Sequence, residues 1–242
     1  MNTLSSPDAA LPKPRPDWAL FLDIDGTLLD IAARPDEVAV PDTLAPTLAR
    51  VKSWLGGALA IASGRTLAEI DRLMAPLRLA SLSEHGAVIR GPDGAIDSAG
   101  ADRIVPRAWK ARLREATQGW TGVLVEEKSY GVAVHFRLAP HREREIRDLV
   151  EGLVSADAKA FEVLPAHMAF EIRHRGLTKA AVVDRFMAQP PFAGRVPVFV
   201  GDDVTDEDGF RAATAMGGLA LNVNETFGGR PSEVRRWLAG FA

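Results

Sequence analysis

The stretch FLDIDGTLLD, residues 21–30, places two carboxylates two positions apart directly after an apolar run. The run spans residues 18–24 and is nearly continuous, which is typical of a strand buried on both faces of a parallel sheet. Asp23 and Asp25 lie where this strand ends, and Gly26 follows them as a turn residue. Two carboxylates at the end of a buried strand repel each other, so we expect positive partners from elsewhere in the chain.

Strands and helices alternate after this stretch. Apolar residues at helical spacing predict a helix within residues 44–55, and ALAIASGR at residues 58–65 predicts a second buried strand. Thr66 and Glu69 form a capping box at the start of the next helix, and LASLSEHG at residues 79–86 predicts a third strand. We therefore expect a βαβαβ unit with parallel strands and right-handed crossovers.

The pattern changes after residue 101. Two successive helix–strand–strand segments predict a small inserted α+β cap with its own antiparallel sheet. From Lys179 the alternation returns, with a strand at residues 196–203, VPVFVGDD, and a last strand at residues 218–223. The fold class is therefore α/β, with a Rossmann-like parallel-sheet core. The predicted parts are a disordered N-terminal arm, the core in two segments and the cap, at residues 1–17, 18–101 with 170–242, and 102–169.

Composition narrows the class of protein. The 242 residues carry a net charge of −3, so neither nucleic acid nor a membrane surface is expected as a partner. The chain has no cysteine, which excludes disulfides, thiolate nucleophiles and cysteine zinc sites. The N-terminus is polar and proline-rich, and no segment is long enough to span a bilayer. We expect a cytoplasmic protein, with a monomer favoured.

Polar groups follow three of the predicted strands. They are Asp23 with Asp25, Ser63 with Arg65, and Asp202 with Asp203. In an open parallel sheet the carboxyl ends of the strands face one crevice, so these groups converge if the first and fourth strands are neighbours. Oxygen ligands of this kind suit Mg²⁺. Mg²⁺, Lys179, Arg65 and the hydroxyl of Ser63 would together form a cradle for a phosphoryl group.

Four motifs in this order resemble those of the haloacid-dehalogenase (HAD) superfamily of phosphatases. They are DIDGTL at residues 23–28, SGR at 63–65, Lys179, and GDDVTDE at 201–207. With E-x-K at residues 126–128 before HFR at 135–137, the pattern is similar to that of trehalose-6-phosphate phosphatases, from about residue 18 to the C-terminus. The resemblance implies a HAD core with an inserted cap, a Mg²⁺ cofactor, and hydrolysis of a sugar phosphate through an aspartyl phosphate.

The resemblance also implies roles in catalysis. Asp23 matches the nucleophile, and Asp25 matches the general acid and base, with its backbone carbonyl facing the metal. Ser63 and Lys179 match the residues that hold the phosphoryl oxygens. The implied metal ligands are Asp23, Asp25, Asp202 and, from the second shell or through water, Asp203.

In the cap, the resemblance implies residues that bind the sugar. Glu126, Lys128 and Glu171 match positions at which the family grips sugar hydroxyls. The candidate substrate-binding residues are Arg65, His85, Gly86, Glu126, Lys128, His167 and Glu171. The family usually has Gly-Lys where this chain has Ala166 and His167. Besides trehalose 6-phosphate, another sugar phosphate, such as that of sucrose or glucosylglycerol, therefore stays open as the substrate.

Two other classes of protein fit the sequence less well. A phospho-receiver domain also groups carboxylates, a hydroxyl and a lysine around Mg²⁺, but it is phosphorylated on an aspartate that ends the third strand. The third strand here ends in SEHG, which has no aspartate. A relative that binds without catalysis would lack Asp23, Asp25 or Lys179, and all three are present. We interpret Asp206 and Glu207 as acidic residues that favour the start of a helix.

Overall fold

The structure of this chain, a computed structural model, describes residues 11–241. The first part contributes, in order, β1 (Trp18–Leu22), α1 (Leu44–Trp54), β2 (Leu59–Ala62), α2 (Leu67–Leu73), β3 (Ala80–Ser83), β4 (Val88–Arg90) and β5 (Ile96–Ser98). The middle part contributes α3 (Arg107–Ala116), β6 (Leu124–Glu127), β7 (Val132–His135), α4 (Glu143–Val154), β8 (Phe161–Ala166) and β9 (Ala169–His174). The last part contributes α5 (Lys179–Met187), β10 (Val196–Gly201), α6 (Glu207–Ala215), β11 (Leu219–Asn222), α7 (Val223–Thr226) and α8 (Pro231–Ala239).

A sheet in the order β11-β10-β1-β2-β3-β4-β5 forms the core. The strands from β11 to β3 run parallel, and β4 and β5 add an antiparallel edge. β1 lies between β10 and β2, so Leu22 is opposite both Val200 and Ile61. These three strands therefore end at one edge of the sheet. The predicted α/β fold class is confirmed. The first and fourth strands of the predicted core, β1 and β10, are neighbours, which is the condition for their carboxylates to converge.

The central position of β1 explains its apolar sequence. Every residue of the strand is buried, because strands flank it on both sides and aromatic side chains cover it. Phe21 packs against Phe186 of α5 and Phe199 of β10, with ring centroids 6.2 and 6.4 Å away. Trp18 lies on the opposite face and contacts Trp237 of α8 at 6.1 Å. Burial of side chains this large contributes roughly 1.5–3 kcal/mol each, which holds the end of β1 firmly in place.

The insert, which we define as residues 107–174 from α3 to β9, forms an antiparallel sheet in the order β6-β7-β9-β8. Its apolar cluster includes Ile146 and Val150 of α4 together with Phe170 of β9. β9 pairs with both β7 and β8, so this sheet extends to His174, beyond the predicted boundary at residue 169. Since β9 is buried along almost its whole length, its sequence looks like that of a core strand. The division into core and cap domains stays a prediction.

The segment before β1 lies against the core. The indole Nε1 of Trp237 donates a hydrogen bond to the carbonyl of Pro12 at 2.8 Å. Arg195 donates to the carbonyl of Pro16 at 2.6 Å. Residues 12–16 of the predicted arm are thus held by these contacts, whereas residues 1–10 lie outside the described residues. Between residues 11 and 241, no helix combines the length and the apolar sequence that crossing a membrane requires.

Candidate active site

Three carboxylates meet where β1 and β10 end. Oxygens of Asp23, Asp202 and Asp206 lie within 4.8 Å of one another. Asp23 directly follows β1, Asp202 directly follows β10, and Asp206 closes the short 3₁₀ turn that leads into α6. Because the two strands are parallel neighbours, their carboxyl ends share one edge of the sheet. The structure brings together the carboxylates that follow these strands, with Asp206 as an additional member.

Asp206 belongs to the site, although the sequence predicted for it only a role at the start of a helix. Its Oδ2 accepts hydrogen bonds from the backbone N–H groups of Asp202 and Asp203, at 3.1 and 3.2 Å, and the side chain is fully buried. The carboxylate of Asp203 instead accepts from the N–H of Val204 at 2.7 Å and caps the turn. Asp206 thus belongs to the cluster, while Asp203 lines the cavity beside it, and the second-shell role of Asp203 stays a prediction. The signal was the spacing of three between Asp203 and Asp206, which form a capping box at the 3₁₀ turn. Glu207 is exposed in the first turn of α6, in agreement with its interpretation as an acidic residue at the start of a helix.

The cluster carries more negative charge than its surroundings balance. Burial raises the pKa of Asp23 well above its usual value, the ammonium of Lys179 opposes this, and the carboxylates of Asp206 and Asp202 add to it. Burial, with the carboxylates of Asp206 and Asp203, raises the pKa of Asp202 to about 7. A buried set of oxygen donors with unbalanced negative charge fits Mg²⁺. Asp23 and Asp202 are the side chains that would hold the ion, because both oxygens of Asp206 already accept hydrogen bonds, from Lys179 and from the N–H groups of Asp202 and Asp203.

Gly26 allows the chain after β1 to approach this cluster closely. Its φ is +80°, and a Cβ atom at this position would lie 2.1 Å from Oδ2 of Asp202. Any other residue would therefore displace that carboxylate. The next residue, Thr27, donates a hydrogen bond from its hydroxyl to Oδ1 of Asp202 at 3.2 Å. The Gly-Thr pair that follows Asp25 thus positions a carboxylate 175 residues further along the chain.

Lys179 is the positive partner of the cluster. It is the first residue of α5 and is 1% exposed, and its Nζ donates to Oδ1 of Asp23 at 3.0 Å and to Oδ1 of Asp206 at 2.6 Å. Burial opposes the charge on Lys179, but the carboxylates of Asp206 and Asp23 outweigh it and raise the pKa of the amine. Lys179 therefore stays charged and joins the two carboxylates.

Replacing Lys179 by Met should lower the free energy of unfolding by about 3–5 kcal/mol, because Asp206 then remains buried without its counter-ion. Urea unfolding followed by circular dichroism in metal-free buffer measures the change. Lys159→Met is the matched control, because Lys159 is exposed in the turn after α4. A loss for Lys179→Met no larger than that of the control would contradict the electrostatic role assigned to Lys179.

Asp25 is paired with Arg65. Nε and Nη2 of Arg65 donate to the two carboxylate oxygens of Asp25, each at 2.7 Å, and Nη1 donates to the carbonyl of Pro35 at 3.1 Å. The backbone N–H of Arg65 also donates to Oγ of Ser63 at 3.2 Å. Such a two-bond pair fixes the orientation of the carboxylate as well as its charge. Arg65, which was predicted to contact substrate, is therefore engaged with Asp25 in this structure.

Core and insert together line a cavity above the carboxylates. The predicted site residues that line it are Asp23, Asp25, Ser63, Arg65, His85, Glu126, Lys128, His167, Glu171, Asp202 and Asp203. Lys179 lies below the cavity and reaches it through Asp23. Gly86 lines a second cavity beside Gly176 and Arg185. The structure therefore separates Gly86 from the other predicted residues, because the left-handed backbone at His85 turns the chain at this point.

A buried ion pair within the insert lies at this cavity, and His85 of the core contacts it. Nζ of Lys128 donates to Oε2 of Glu171 at 2.7 Å, and Nε2 of His85 lies 3.3 Å from the same oxygen. Burial opposes the charge of Glu171, but the ammonium of Lys128 and the hydrogen bond with His85 outweigh burial and lower the pKa of this carboxyl group. Burial lowers the pKa of His85, and Glu171 opposes this only in part, so the ring is neutral. The ion pair thus places an ionised carboxylate and an ammonium in the cavity wall.

Two further residues of the cavity wall were quoted only as part of the HFR motif. Nε2 of His135 lies 2.6 Å from Oε2 of Glu126, its diagonal neighbour across β6 and β7. Arg137 donates through Nη1 to the carbonyl of Ala32 in the core and through Nη2 to the carbonyl of His167 at 3.2 Å. A cross-strand register would have identified His135, but the contacts of Arg137 depend on how the insert packs on the core.

The same fold occurs in known hydrolases. A haloacid dehalogenase-like hydrolase from Bacillus subtilis matches this structure with a TM-score of 0.58 and 14% identity, over 87% of this chain and 92% of that chain. This structure therefore has the fold of the haloacid-dehalogenase class. Within this class the sequence matches the trehalose-phosphatase family over residues 21–234, and the chain belongs to that family.

Relatives agree with this assignment. A protein named "Probable trehalose-phosphate phosphatase" from Sinorhizobium fredii is 43% identical over 222 residues, which cover 89% of this chain and 83% of the relative. The C-terminal domain of trehalose-6-phosphate phosphatase from C. albicans matches with a TM-score of 0.75 and 20% identity, over 93% of each chain. The resemblance identified from the motifs is thus confirmed at the level of the family.

Proposed function

We propose that this chain is a Mg²⁺-dependent phosphatase that hydrolyses trehalose 6-phosphate to trehalose and phosphate, as a step of trehalose biosynthesis. The observation that carries the proposal is a single cavity that joins the acidic cluster and Ser63 to charged side chains of the insert. A phosphoryl group needs the first set of residues and a polyol needs the second. The names of the relatives from Sinorhizobium fredii and C. albicans support the same substrate.

Asp23 is the proposed nucleophile. An oxygen of its carboxylate attacks phosphorus, the bond between phosphorus and the sugar oxygen breaks, and an aspartyl phosphate forms. Lys179 holds the attacking carboxylate in place, since its Nζ donates hydrogen bonds to Asp23 and to Asp206. The hydroxyl of Ser63 and the ammonium of Lys179 would stabilise the phosphoryl oxygens. When bound, Mg²⁺ neutralises negative charge on the phosphoryl group and on the carboxylates.

Asp25 is the proposed general acid and base. In the first step its carboxyl group gives a proton to the departing sugar oxygen. In the second step the resulting carboxylate takes a proton from the water that attacks phosphorus, which releases phosphate and restores Asp23. Arg65 fixes the orientation of the Asp25 carboxyl group through two hydrogen bonds. A proton on Asp25 occupies one of these two acceptor positions, so the pair with Arg65 must loosen during the first step.

The wall formed by the insert supports a sugar as the leaving group. Glu171, Lys128 and Glu126 offer charged acceptors and donors to hydroxyl groups. His85 adds an acceptor: when Nε2 donates to Glu171, Nδ1 accepts, and this buried nitrogen has no hydrogen-bond partner among the described residues. Buried polar groups that a hydroxyl would satisfy discriminate strongly against esters without one.

Lys128→Ala should raise the KM for trehalose 6-phosphate about 10- to 100-fold, the range expected for a lost hydrogen bond to a charged group. The KM for p-nitrophenyl phosphate should change little, because this ester has no sugar to bind. Steady-state phosphate release with both substrates measures the difference. Lys159→Ala, an exposed lysine of the insert, is the control. An equal effect of Lys128→Ala on both substrates would make Lys128 a structural residue.

Phosphate release from a panel of sugar phosphates, with Mg²⁺ and with EDTA, tests the proposed function. We expect trehalose 6-phosphate to be hydrolysed far faster than the others, and EDTA to abolish activity that added Mg²⁺ restores. Preference for the phosphate of sucrose or glucosylglycerol would keep the chemistry and assign a different sugar, with His167 as the first residue to examine. Activity that survives EDTA would contradict the role of Mg²⁺. The monomeric state and the cytoplasmic location stay predictions.

A further inference from the structure

Glu84 and His85, the two residues directly after β3, have an unusual backbone. Both have left-handed φ values, 46° and 57°, although neither is glycine. Both are also 3% exposed. Long side chains rarely adopt this conformation, and two in succession persist only where the surroundings enforce it. The proposed chemistry uses His85 but gives no role to Glu84.

Hydrogen bonds connect the backbone of this pair to residues 63–65, which we call the phosphoryl-binding loop. The N–H of Glu84 donates to the carbonyl of Arg65 at 3.0 Å, and the N–H of His85 donates to the carbonyl of Ser63 at 3.3 Å. His85 also packs on this loop, because a Cβ at Gly64 would lie 2.6 Å from its Nε2. The left-handed pair therefore has a defined position relative to Ser63.

The side chain of Glu84 reaches from the core to the insert. Its Oε2 accepts a hydrogen bond at 2.7 Å from the backbone N–H of Tyr130, in the turn between β6 and β7. The hydroxyl of Tyr130 donates back to the carbonyl of Ala99 in the core at 2.6 Å. A buried carboxylate that accepts from a backbone N–H forms a charge-assisted bond, which is shorter and stronger than a neutral one.

The turn that Glu84 holds also carries a proposed sugar-binding residue. The N–H of Lys128 donates to the carbonyl of Gly131 at 3.2 Å, which closes the turn around Tyr130. Lys110 of α3 donates to the carbonyl of Lys128 at 2.6 Å, so the backbone is held from both sides. The contact with Glu84 relates the backbone of this turn to the core loop that contains Ser63, beside the link that runs from the side chain of Lys128 through Glu171 to His85.

We infer that Glu84 is a positioning residue that sets the distance between the phosphoryl-binding loop and Lys128, and thereby restricts the enzyme to phosphate esters of one sugar size. The inference rests on the proposed function, because it takes Lys128 to contact the sugar. It gives the strained backbone a role: in the left-handed conformation the carboxylate of Glu84 reaches the turn of the insert while His85 stays on Gly64.

Glu84→Gly is the decisive variant, because glycine adopts the left-handed conformation without strain and the fold should be retained. We expect its KM for trehalose 6-phosphate to rise about 10-fold, consistent with loss of one charge-assisted hydrogen bond. Hydrolysis of p-nitrophenyl phosphate should be little changed. Glu84→Gln keeps an acceptor oxygen at the same reach and should restore most of the KM. In the double variant with Lys128→Ala, the two effects should fail to add, since both act through one contact.

Hydrogen exchange of the Tyr130 amide provides a readout without substrate. This amide should exchange faster in Glu84→Gly than in the wild type, and Glu84→Gln should restore its protection. An equal rise in KM for both esters, additive effects with Lys128→Ala, or an unchanged Tyr130 amide would each overturn the inference. If the wild type does not favour trehalose 6-phosphate, the proposed substrate fails, and the same comparison is made with the sugar phosphate that it does favour.

Discussion

Asp23→Asn should reduce the turnover of trehalose 6-phosphate by about 10⁴-fold or more, because an amide oxygen does not replace a carboxylate as the nucleophile toward phosphorus. The fold should survive, since Asn still offers an oxygen to Nζ of Lys179. Phosphate release in Mg²⁺ buffer measures the effect. Acid-quenched wild-type enzyme in turnover should also carry a phosphoryl group on the peptide that contains Asp23, and the variant should not.

Asp30→Asn is the matched control for this result. Asp30 lies seven positions after Asp23 in the sequence, and its side chain is 72% exposed. It forms an ion pair with Arg235, away from the carboxylate cluster. Its turnover should resemble that of the wild type. Residual activity of Asp23→Asn at more than a few per cent of the wild type would reject Asp23 as the nucleophile, provided that circular dichroism confirms an intact fold.

Asp25→Asn should cost about 10²–10⁴-fold in the hydrolysis of trehalose 6-phosphate, the usual contribution of a general acid and base. Which of the two chemical steps is slow in this variant should depend on the substrate. A sugar alkoxide needs a proton to leave, so the variant should be slow in forming the aspartyl phosphate. Nitrophenolate leaves without a proton, so this step should remain fast and the later attack of water should be slow.

A stopped-flow trace with p-nitrophenyl phosphate separates these steps. Asp25→Asn should release a burst of about one nitrophenolate per enzyme and then turn over slowly, as expected when a covalent intermediate accumulates. Asp36→Asn, an exposed aspartate beside Pro35, serves as the control and should show no such change. A loss of only a few-fold on the sugar ester would mean that Asp25 is not the acid and base. Absence of the burst would mean that Asp25 acts in the first step alone.

The sequence indicated the positions of the site residues to different degrees. Asp23 and Asp202 follow continuous apolar runs, and a parallel sheet brings the ends of such runs to one edge. Asp206 was assigned to a helix start because an acidic first turn is common. Its second role depends on Lys179, which lies 27 positions away in sequence and 2.6 Å away in space.

Arg65 and Gly86 illustrate what local motifs leave open. SGR indicates a turn near phosphate, but whether the guanidinium turns to a substrate or to Asp25 depends on a residue 40 positions earlier. The EHG motif similarly identifies a turn, and the left-handed backbone at His85 then directs Gly86 to another cavity. The insert was predicted to end at residue 169, but β9 pairs with β7 and β8 and so extends the antiparallel sheet to His174.

The sequence by itself determined the alternation of parallel strands and helices, the insertion within the α/β core and the family, because these depend on the period of apolar residues and on short motifs. It did not predict the short edge strands β4 and β5. Only the tertiary structure decided which carboxylates share the cluster, that Arg65 holds Asp25, and that Glu84 connects the core to the turn that carries Lys128. The physical reason is that these contacts join residues far apart in the chain, and their partners are selected by packing and by the balance of buried charge.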